Sequence, residues 1–162
     1  MESGNKLRET IEATTREFLM TYQDGAAHKD PSIISRNLSP DCSRQIAPAS
    51  FMKSVGAPPD LQFSNDAYQS LFEKDLEASA VLKSDILNLT IDAHARKAAA
   101  RTVYHGKFTD GEEMSMEFAW FLDFNDDGTK VTHIVEVVDP PESLKFSSKV
   151  EALRGKASGS DS

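Results

Sequence analysis

The first half of the chain carries apolar residues at helical spacing, and the second half alternates apolar with polar residues. The first helical stripe consists of Leu7, Ile11, Phe18 and Tyr22. Charged residues lie between these positions, so the pattern predicts a long first helix that ends near Gly25. A second, short helix is predicted over residues 32–37, because Asp30 and Pro31 supply an N-cap and a first-turn proline.

The segment between this short helix and the later strands is rich in proline. Residues 41–63 contain three prolines and Gly56, which predicts a long irregular loop with a brief strand at residues 44–47. Loops of this length usually have a function. Ser64 then provides an N-cap for a third helix, which continues through Phe72.

Alternating polarity predicts strands over residues 83–91, 96–108, 114–124 and 130–139. Asp110-Gly111 and Asp127-Gly128 separate the last three strands, and Asp-Gly pairs favour tight hairpin turns. The strands are therefore expected to form an antiparallel meander. Helices that precede a meander predict an α+β fold, in which the helices pack on the concave face of a curved, cone-shaped sheet.

Two prolines, Pro140 and Pro141, end the last predicted strand. A short helix is expected over residues 143–153, followed by a disordered tail over residues 155–162. With 162 residues, the chain has the length of one ordinary domain, which we predict to cover residues 1–154.

Alternation also assigns side chains to the two faces of the sheet. Leu87, Leu89 and Ile91 are predicted to share one side of the first strand. The third strand directs one set of residues to the core or to a pocket: Met116, Phe118, Trp120 and Leu122. The side chains expected to bind a hydrophobic polycyclic ligand are Phe51, Met116, Phe118 and Trp120.

Charge and composition exclude several classes of partner. Acidic residues exceed basic residues by 26 to 18, and the net charge of -8 would repel the phosphates of a nucleic acid. The N-terminal residues lack an apolar signal core, and no segment has the length and apolarity of a membrane span. The single cysteine, Cys42, fits a reducing compartment, so a cytoplasmic protein is predicted.

Metal and nucleotide cofactors are not expected. The four histidines are scattered, and their spacing places no two of them on one face beside a carboxylate. Gly106 and Gly111 lie in or beside a hairpin turn instead of opening a helix, so no phosphate-binding loop is present.

Glu136 interrupts an apolar run in the last predicted strand, where an ionised carboxylate is costly unless it is paired or functional. Alternation leaves two possibilities open, since Glu136 could equally face solvent on an edge strand. His133 lies three residues before Glu136, so in a regular strand their side chains point to opposite faces of the sheet. Only one of the two can therefore enter a pocket.

Two other residues are candidates for chemistry. Arg36 follows the apolar pair Ile33-Ile34 and could project over the cone to bind a carbonyl or enolate oxygen; the alternative is a surface arginine. Tyr104 could donate a proton if it faces inward, although a core tyrosine is the commoner outcome.

Several short segments together resemble the fungal SnoaL-like proteins of the nuclear transport factor two-like superfamily. They are Arg36, Cys42, Pro48-Ala49-Ser50 and residues 92–97, 117–124, 127–130 and 134–139. The fungal members of this family include cyclases and isomerases of secondary metabolism, such as those that rebuild rings in terretonin-type meroterpenoids. The resemblance spans residues 7–146.

The resemblance implies cofactor-free acid–base chemistry on a small polycyclic substrate, a meroterpenoid, polyketide or alkaloid. It assigns Glu136 as the base and Arg36 as the group that stabilises a charged oxygen. Phe118 departs from the pattern, because some relatives have a tyrosine there, so a proton donor must come from elsewhere. The family also implies a homodimer, formed through the outer sheet face around Phe121 and Val135 or Val137.

Two competing functions remain open. In the first, the same cone is a ligand-binding or dimerisation module without catalysis, and Glu136 and Arg36 form only a salt bridge or an anchor. In the second, a carboxylate activates water for hydrolysis. The second is weaker, because the sequence indicates only one well-placed acid.

Overall fold

The computed structural model describes residues 2–159, which form five α-helices, one 3₁₀ helix and a six-stranded sheet. The helices are α1 (Glu2–Leu19), α2 (Thr21–His28), the 3₁₀ helix (Pro31–Ser35), α3 (Ala49–Ser54), α4 (Asn65–Leu76) and α5 (Pro140–Gly159). The strands are β1 (Leu38–Ala47), β2 (Gln62–Phe63), β3 (Ser79–Asp92), β4 (Lys97–Phe108), β5 (Glu113–Phe124) and β6 (Val131–Val138).

The sheet has the strand order β2-β1-β6-β5-β4-β3. Strands β3 to β6 form the predicted antiparallel meander, and the α+β prediction is confirmed. Strand β1 lies beside β6 as a parallel partner. The other edge of β1 pairs with the short antiparallel strand β2. The parallel pair places residues 44–47 directly beside residues 134–137, which positions the candidate site.

The prediction of a long irregular loop over residues 41–63 is wrong, although the brief strand predicted at residues 44–47 is confirmed as the end of β1. Most of the region is regular, since it contains the end of β1, all of α3 and the short β2. Three residues of β1, Cys42, Arg44 and Ile46, alternate toward the interior of the cone, but the arginine among them disguises the apolar alternation. A register shift between Leu38 and Ser43 also interrupts the pairing near the proline.

The predicted first helix is divided in two. Helix α1 ends at Leu19, and α2 continues past Gly25 to His28, so Gly25 is not the stop. A side chain at Gly25 would lie 2.8 Å from the ring of Phe72, which means that the glycine permits α2 to pack closely on α4.

Both predicted N-caps are confirmed. The Asp30 carboxylate accepts a hydrogen bond from the backbone N–H of Ser32 at the start of the 3₁₀ helix. The Ser64 hydroxyl accepts one from the N–H of Ala67 in the first turn of α4. These bonds satisfy backbone donors that a helix start leaves free.

The predicted inner face of β5 is confirmed, since Trp120 and Leu122 are buried and Phe121 is 55% exposed. On β3, however, Leu87 faces outward while Leu89 and Ile91 pack against the core. The cause is a bulge between Leu87 and Thr90, where Asn88 has a φ of 54° and one extra residue reverses the alternation.

The main core lies between α1 and the inner face of the sheet, where Phe18 packs edge-on against Trp120 at 5.6 Å between ring centroids. A smaller cluster of Ala78, Phe108 and Val150 attaches α5 to the opposite end of the sheet. The space between these two apolar groups remains open as a cavity.

Helix α5 is longer than the predicted residues 143–153 and continues to Gly159. Residues 155–159 are therefore helical instead of belonging to a disordered tail, and residues 160–162 of the predicted tail lie outside the described residues. The single domain over residues 1–154 stays a prediction. None of the helices in the described part of the chain is both long enough and apolar enough to cross a membrane.

We expect Gly106→Ala to destabilise the fold. A Cβ atom at this position of β4 would lie 2.1 Å from the backbone oxygen of Ala80 on the adjacent strand, so one strand must move. Overpacking of this kind costs roughly 1–3 kcal/mol in free energy of unfolding, measurable by chemical denaturation. Gly4→Ala is the control, because nothing lies within 4 Å of its added Cβ. Equal stability of the two variants would contradict the close approach.

Candidate active site

A cavity of about 650 Å³ opens between the sheet and helices α3, α4 and α5. Its walls are mainly apolar, and three of the predicted binding residues, Phe51, Met116 and Phe118, line it. Trp120 does not line it. It is 1% exposed, its indole Nε1 donates to the Thr102 hydroxyl at 2.9 Å, and its ring supports Phe118 from the core.

Glu136 faces the cavity from β6. Because β6 lies between β1 and β5, the alternative of a solvent-facing residue on an edge strand is wrong. His133 lies on the outer face, where its Nδ1 is 2.8 Å from the Ser43 hydroxyl. The parity prediction that only one of the two residues enters the pocket is therefore correct.

Arg36 lies outside the cavity, contrary to the expectation that it projects over the cone. Its side chain is 40% exposed, and its guanidinium pairs with Asp24 at 2.6 Å and donates a further bond to the backbone oxygen of Glu17. The 3₁₀ helix that ends beside it places the side chain toward α1 and α2 instead of toward the sheet.

The arginine that pairs with Glu136 is Arg44. Its Nη1 lies 2.9 Å from Oε1 of Glu136, and the two side chains are only 3% and 7% exposed. Arg44 is not among the residues that line the cavity. The guanidinium lies behind the carboxylate and stacks on the ring of Tyr68, with 3.3 Å between Cζ and the ring centroid.

Two tyrosines complete a closed ring of hydrogen bonds with this ion pair. Arg44 Nη1 donates to the Tyr22 hydroxyl at 2.7 Å, and the Tyr68 hydroxyl donates to Glu136 Oε1 at 2.8 Å. The two hydroxyls are 2.7 Å apart. Since the hydrogen of Tyr68 is directed to Glu136, the Tyr22 hydroxyl must donate to Tyr68. The hydrogen bonds therefore run from Arg44 to Glu136 by two routes, one direct and one through the two hydroxyls.

Both tyrosines remain donors because burial raises the pKa of Tyr22 and of Tyr68. The nearby charge of Glu136 raises both values further, while Arg44 opposes the change. Burial alone would lower the pKa of Arg44, but Tyr22, Tyr68 and Glu136 outweigh it and hold that pKa above its ordinary value. Arg44 therefore stays charged.

The ring leaves one oxygen of Glu136 free. Among the described residues, Arg44 and Tyr68 donate to Oε1, the Tyr22 hydroxyl lies 3.5 Å from the same oxygen, and none donates to Oε2. Nη2 of Arg44 is buried and also has no partner in this part of the chain. The carboxylate is thus held by one oxygen, and the other is available to a molecule in the cavity.

Tyr104 lines the cavity with its ring, but its hydroxyl is engaged elsewhere. The hydroxyl donates to the backbone oxygen of Leu19 at 2.7 Å, and burial raises the pKa of Tyr104 well above its usual range. This residue ties α1 to the sheet, so its geometry does not suit the proton donation predicted from the sequence.

Asp75 is a second acid in the same cavity. Burial, assisted by the charge of Glu136 and opposed by Arg154, raises the pKa of Asp75 to about 7. The sequence argument against hydrolysis, that only one acid is well placed, is therefore wrong. A signal was present, because Asp75 follows Tyr68 and Phe72 at helical spacing in α4.

Other chemistry has little support in the described residues. No group of three or more His, Cys, Asp or Glu side chains within residues 2–159 is arranged to hold a metal ion. Cys42 is buried in the core, and burial raises the pKa of its thiol to about 11. A thiol of this kind is a poor nucleophile.

The fold is shared with solved fungal structures. The BvnE pinacolase from Penicillium brevicompactum aligns with a TM-score of 0.72 and 20% identity, over 91% of this chain and 95% of its own. PrhC from Penicillium brasilianum aligns with 0.73 and 19%, over 91% and 92%. AusH from Aspergillus nidulans aligns with 0.64 and 20%, over 82% and 85%. The predicted SnoaL-like fold is thus confirmed.

No protein-family model matches the sequence, and a search of curated proteins gives no match. At identities of 20% or below, the structural likeness establishes the fold alone. Function must be inferred from the site itself.

We expect Arg44→Met to lower the free energy of unfolding by about 3–5 kcal/mol, because it leaves Glu136 buried without a partner. The double variant Arg44→Met/Glu136→Leu should recover most of this loss. Arg36→Met is the matched control, since it breaks an exposed pair worth at most about 1 kcal/mol. Chemical denaturation measures all three, and a double variant no more stable than Arg44→Met would argue against the pair.

Proposed function

We propose that the protein is a cofactor-independent isomerase or cyclase that rearranges a polycyclic intermediate of fungal secondary metabolism by acid–base catalysis. The substrate is a meroterpenoid, a polyketide or an alkaloid. The observation that carries this proposal is the free Oε2 of Glu136 at the wall of a mainly apolar cavity, while Oε1 is held by Arg44 and Tyr68. A base oriented before the substrate binds needs no reorganisation during the reaction.

In this proposal, Glu136 is the catalytic base and removes a proton from the substrate through Oε2. Arg44 is a positioning residue, because it contacts the carboxylate and does not line the cavity. When Glu136 takes up a proton, Arg44 and Tyr68 retain their hydrogen bonds to Oε1, so the carboxyl keeps its orientation. The ring of Tyr104 serves as a wall.

The size and the lining of the cavity support a small polycyclic substrate. Its volume of about 650 Å³ falls in the usual range for small-molecule sites, and Phe51 and Phe118 supply flat apolar surface beside the side chain of Met116. The BvnE protein from Penicillium brevicompactum, which has a similar fold, is a pinacolase. In the alternative, a non-catalytic binding module, Glu136 would only anchor a ligand.

Nitrobenzisoxazole provides a test that does not require the natural substrate, because removal of one carbon-bound proton opens its ring. We expect the protein to accelerate this ring opening relative to acetate at equal concentration. Glu136→Gln should lower the rate by at least about 100-fold, the lower end of a general base's contribution. Absorbance of the released phenolate measures the rate.

The control for this experiment is His133→Gln, which changes a residue of the same strand on its outer face and should leave the rate unchanged. Rates are compared at a temperature at which thermal unfolding finds every variant folded. Equal rates for the protein and its Glu136→Gln variant, or no acceleration at all, would contradict the catalytic role and favour the binding module.

We further propose that the protein acts as a cytoplasmic homodimer. The outer face of the sheet supports the dimer, because Val135 pairs with Phe121 and Phe121 with Ala99 across three neighbouring strands. Phe121 is 55% exposed, and Val137 and Ala119 extend the apolar row. The single buried cysteine suits a reducing compartment.

Phe121→Asp should convert the dimer into a monomer, because it places a charge at the centre of the apolar row. Analytical ultracentrifugation over a range of concentrations measures the change. Leu144→Asp is the control, since Leu144 is an exposed apolar residue of α5 away from the sheet face. A monomeric unmodified protein, or an equal response of both variants, would refute this dimer.

A further inference from the structure

We infer that Ser115, His105 and Asp85 form a second active site, on the outer face of the sheet, that cleaves small carboxylic esters through an acyl-serine intermediate. The site is separate from the cavity at Glu136, and the inference does not depend on the proposed function. It rests on a chain of hydrogen bonds that joins a hydroxyl, an imidazole and a carboxylate across three strands.

The pairing of β3, β4 and β5 brings the three side chains together. Ser115 lies directly opposite His105, and His105 lies directly opposite Lys83, two residues before Asp85 on the same face of β3. The Ser115 hydroxyl is 3.2 Å from Nδ1 of His105, and Nε2 of the same ring is 3.0 Å from Oδ2 of Asp85. The imidazole is therefore held at both nitrogens by residues of neighbouring strands.

The hydrogen bonds have the direction that activates a serine. The bond from His105 is the main cause that lowers the pKa of Asp85, so its carboxylate stays ionised and can only accept. Nε2 must then carry the hydrogen, which leaves Nδ1 of the neutral ring as an acceptor for the Ser115 hydroxyl. A serine that donates to a histidine, whose other nitrogen donates to a carboxylate, is the arrangement of a serine nucleophile with its base.

A second serine–histidine pair on the same face provides a comparison. The Ser43 hydroxyl is 2.8 Å from Nδ1 of His133, but no carboxylate within residues 2–159 accepts a hydrogen bond from Nε2 of that ring. Asp85 thus distinguishes the two pairs, because it fixes the tautomer and stabilises the imidazolium that forms when the serine loses its proton.

An open depression of about 400 Å³ beside Ser115 and His105 can hold the ester. Leu82, which is 56% exposed, forms an apolar wall for the acyl group, and Gly106 has no side chain to obstruct it. Lys107 lines the same depression and is a diagonal neighbour of Ser115 across β4 and β5. A long side chain spans such a diagonal, so its ammonium group can stabilise the oxygen that becomes negative.

The site remains accessible in the proposed dimer. Ser115 is exposed, and the side chains of His105 and Asp85 are 41% and 39% exposed. Phe121, at the centre of the apolar row, lies six residues along β5 from Ser115, about 20 Å away. The two functions therefore use opposite ends of the same sheet face.

The reaction takes place in two steps. In the first, Ser115 Oγ forms a bond to the carbonyl carbon while its proton moves to Nδ1 of His105. The C–O bond to the alcohol then breaks, the alcohol takes the proton from Nδ1, and an acyl-serine remains. In the second, water attacks this ester, its proton passes through Nδ1 to Ser115 Oγ, and the carboxylic acid leaves. Both residues are regenerated, and no oxidant or reductant is needed.

The test is a brief exposure of the folded protein to p-nitrophenyl acetate, after which mass spectrometry locates the acetyl groups. We expect acetylation of Ser115 and none of Ser43. His105→Gln should lower the initial rate of Ser115 acetylation by about 100-fold or more, because the general base is lost. His133→Gln, on the same face of the sheet, is the matched control and should leave that rate unchanged.

Asp85 is a positioning residue, and its role has a separate readout. Asp85→Asn should lower the rate of Ser115 acetylation by about 10-fold or more, because the amide can donate to Nε2 and transfer the ring hydrogen to Nδ1. Asp85→Glu keeps the carboxylate and should recover part of the rate. A merely structural role would not distinguish the two variants.

Thermal unfolding of each variant is the check on folding, and partly exposed positions of this kind tolerate substitution. Acetylation confined to lysines, equal rates at Ser115 and Ser43, or an unchanged rate at Ser115 in His105→Gln would overturn the second site. None of these outcomes affects the role of Glu136, which the opening of nitrobenzisoxazole tests independently.

Discussion

The ion pair between Arg44 and Glu136 is almost completely removed from water, and each charge is tolerable there only because of the other. The parallel pairing of β1 with β6 aligns Ile46 with Glu136 and sets Arg44 two residues away on the same face. Tyr22 and Tyr68 attach α2 and α4 to the pair. The arrangement of four elements, β1, β6, α2 and α4, therefore depends on neutralising the buried carboxylate of Glu136.

Features governed by neighbouring residues could be predicted from the sequence. The meander follows from alternation and two Asp-Gly turns, and the caps at Asp30 and Ser64 depend on hydrogen bonds within three residues. Glu136 was recognisable because a carboxylate within an apolar run is costly unless it has a purpose. Whether the Glu136 side chain faces the interior or solvent could not be predicted without knowing which strands lie beside β6.

Features that depend on distant contacts could not be predicted. Arg36 and Arg44 are both arginines near apolar residues, and only the parallel pairing with β6 distinguishes them. That pairing joins segments about 90 residues apart, and no local pattern encodes it. The helical spacing of Asp75 with Tyr68 and Phe72 is visible in the sequence, but the cavity that this stripe of α4 faces is not. The bulge at Asn88 likewise turns the side chain of Leu87 to the outer face of the sheet, and the residues around it give no sign of this in the sequence.

The separation between the wall of the cavity and the charges behind it has an evolutionary consequence. Phe51, Met116 and Phe118 shape the space for a ligand, and none of them hydrogen-bonds to Arg44 or Glu136. Mutations in these wall residues can therefore change which molecules fit while the buried charges stay balanced. A lineage with this architecture can diversify its substrates by small steps, each of which preserves a folded protein with its base in place.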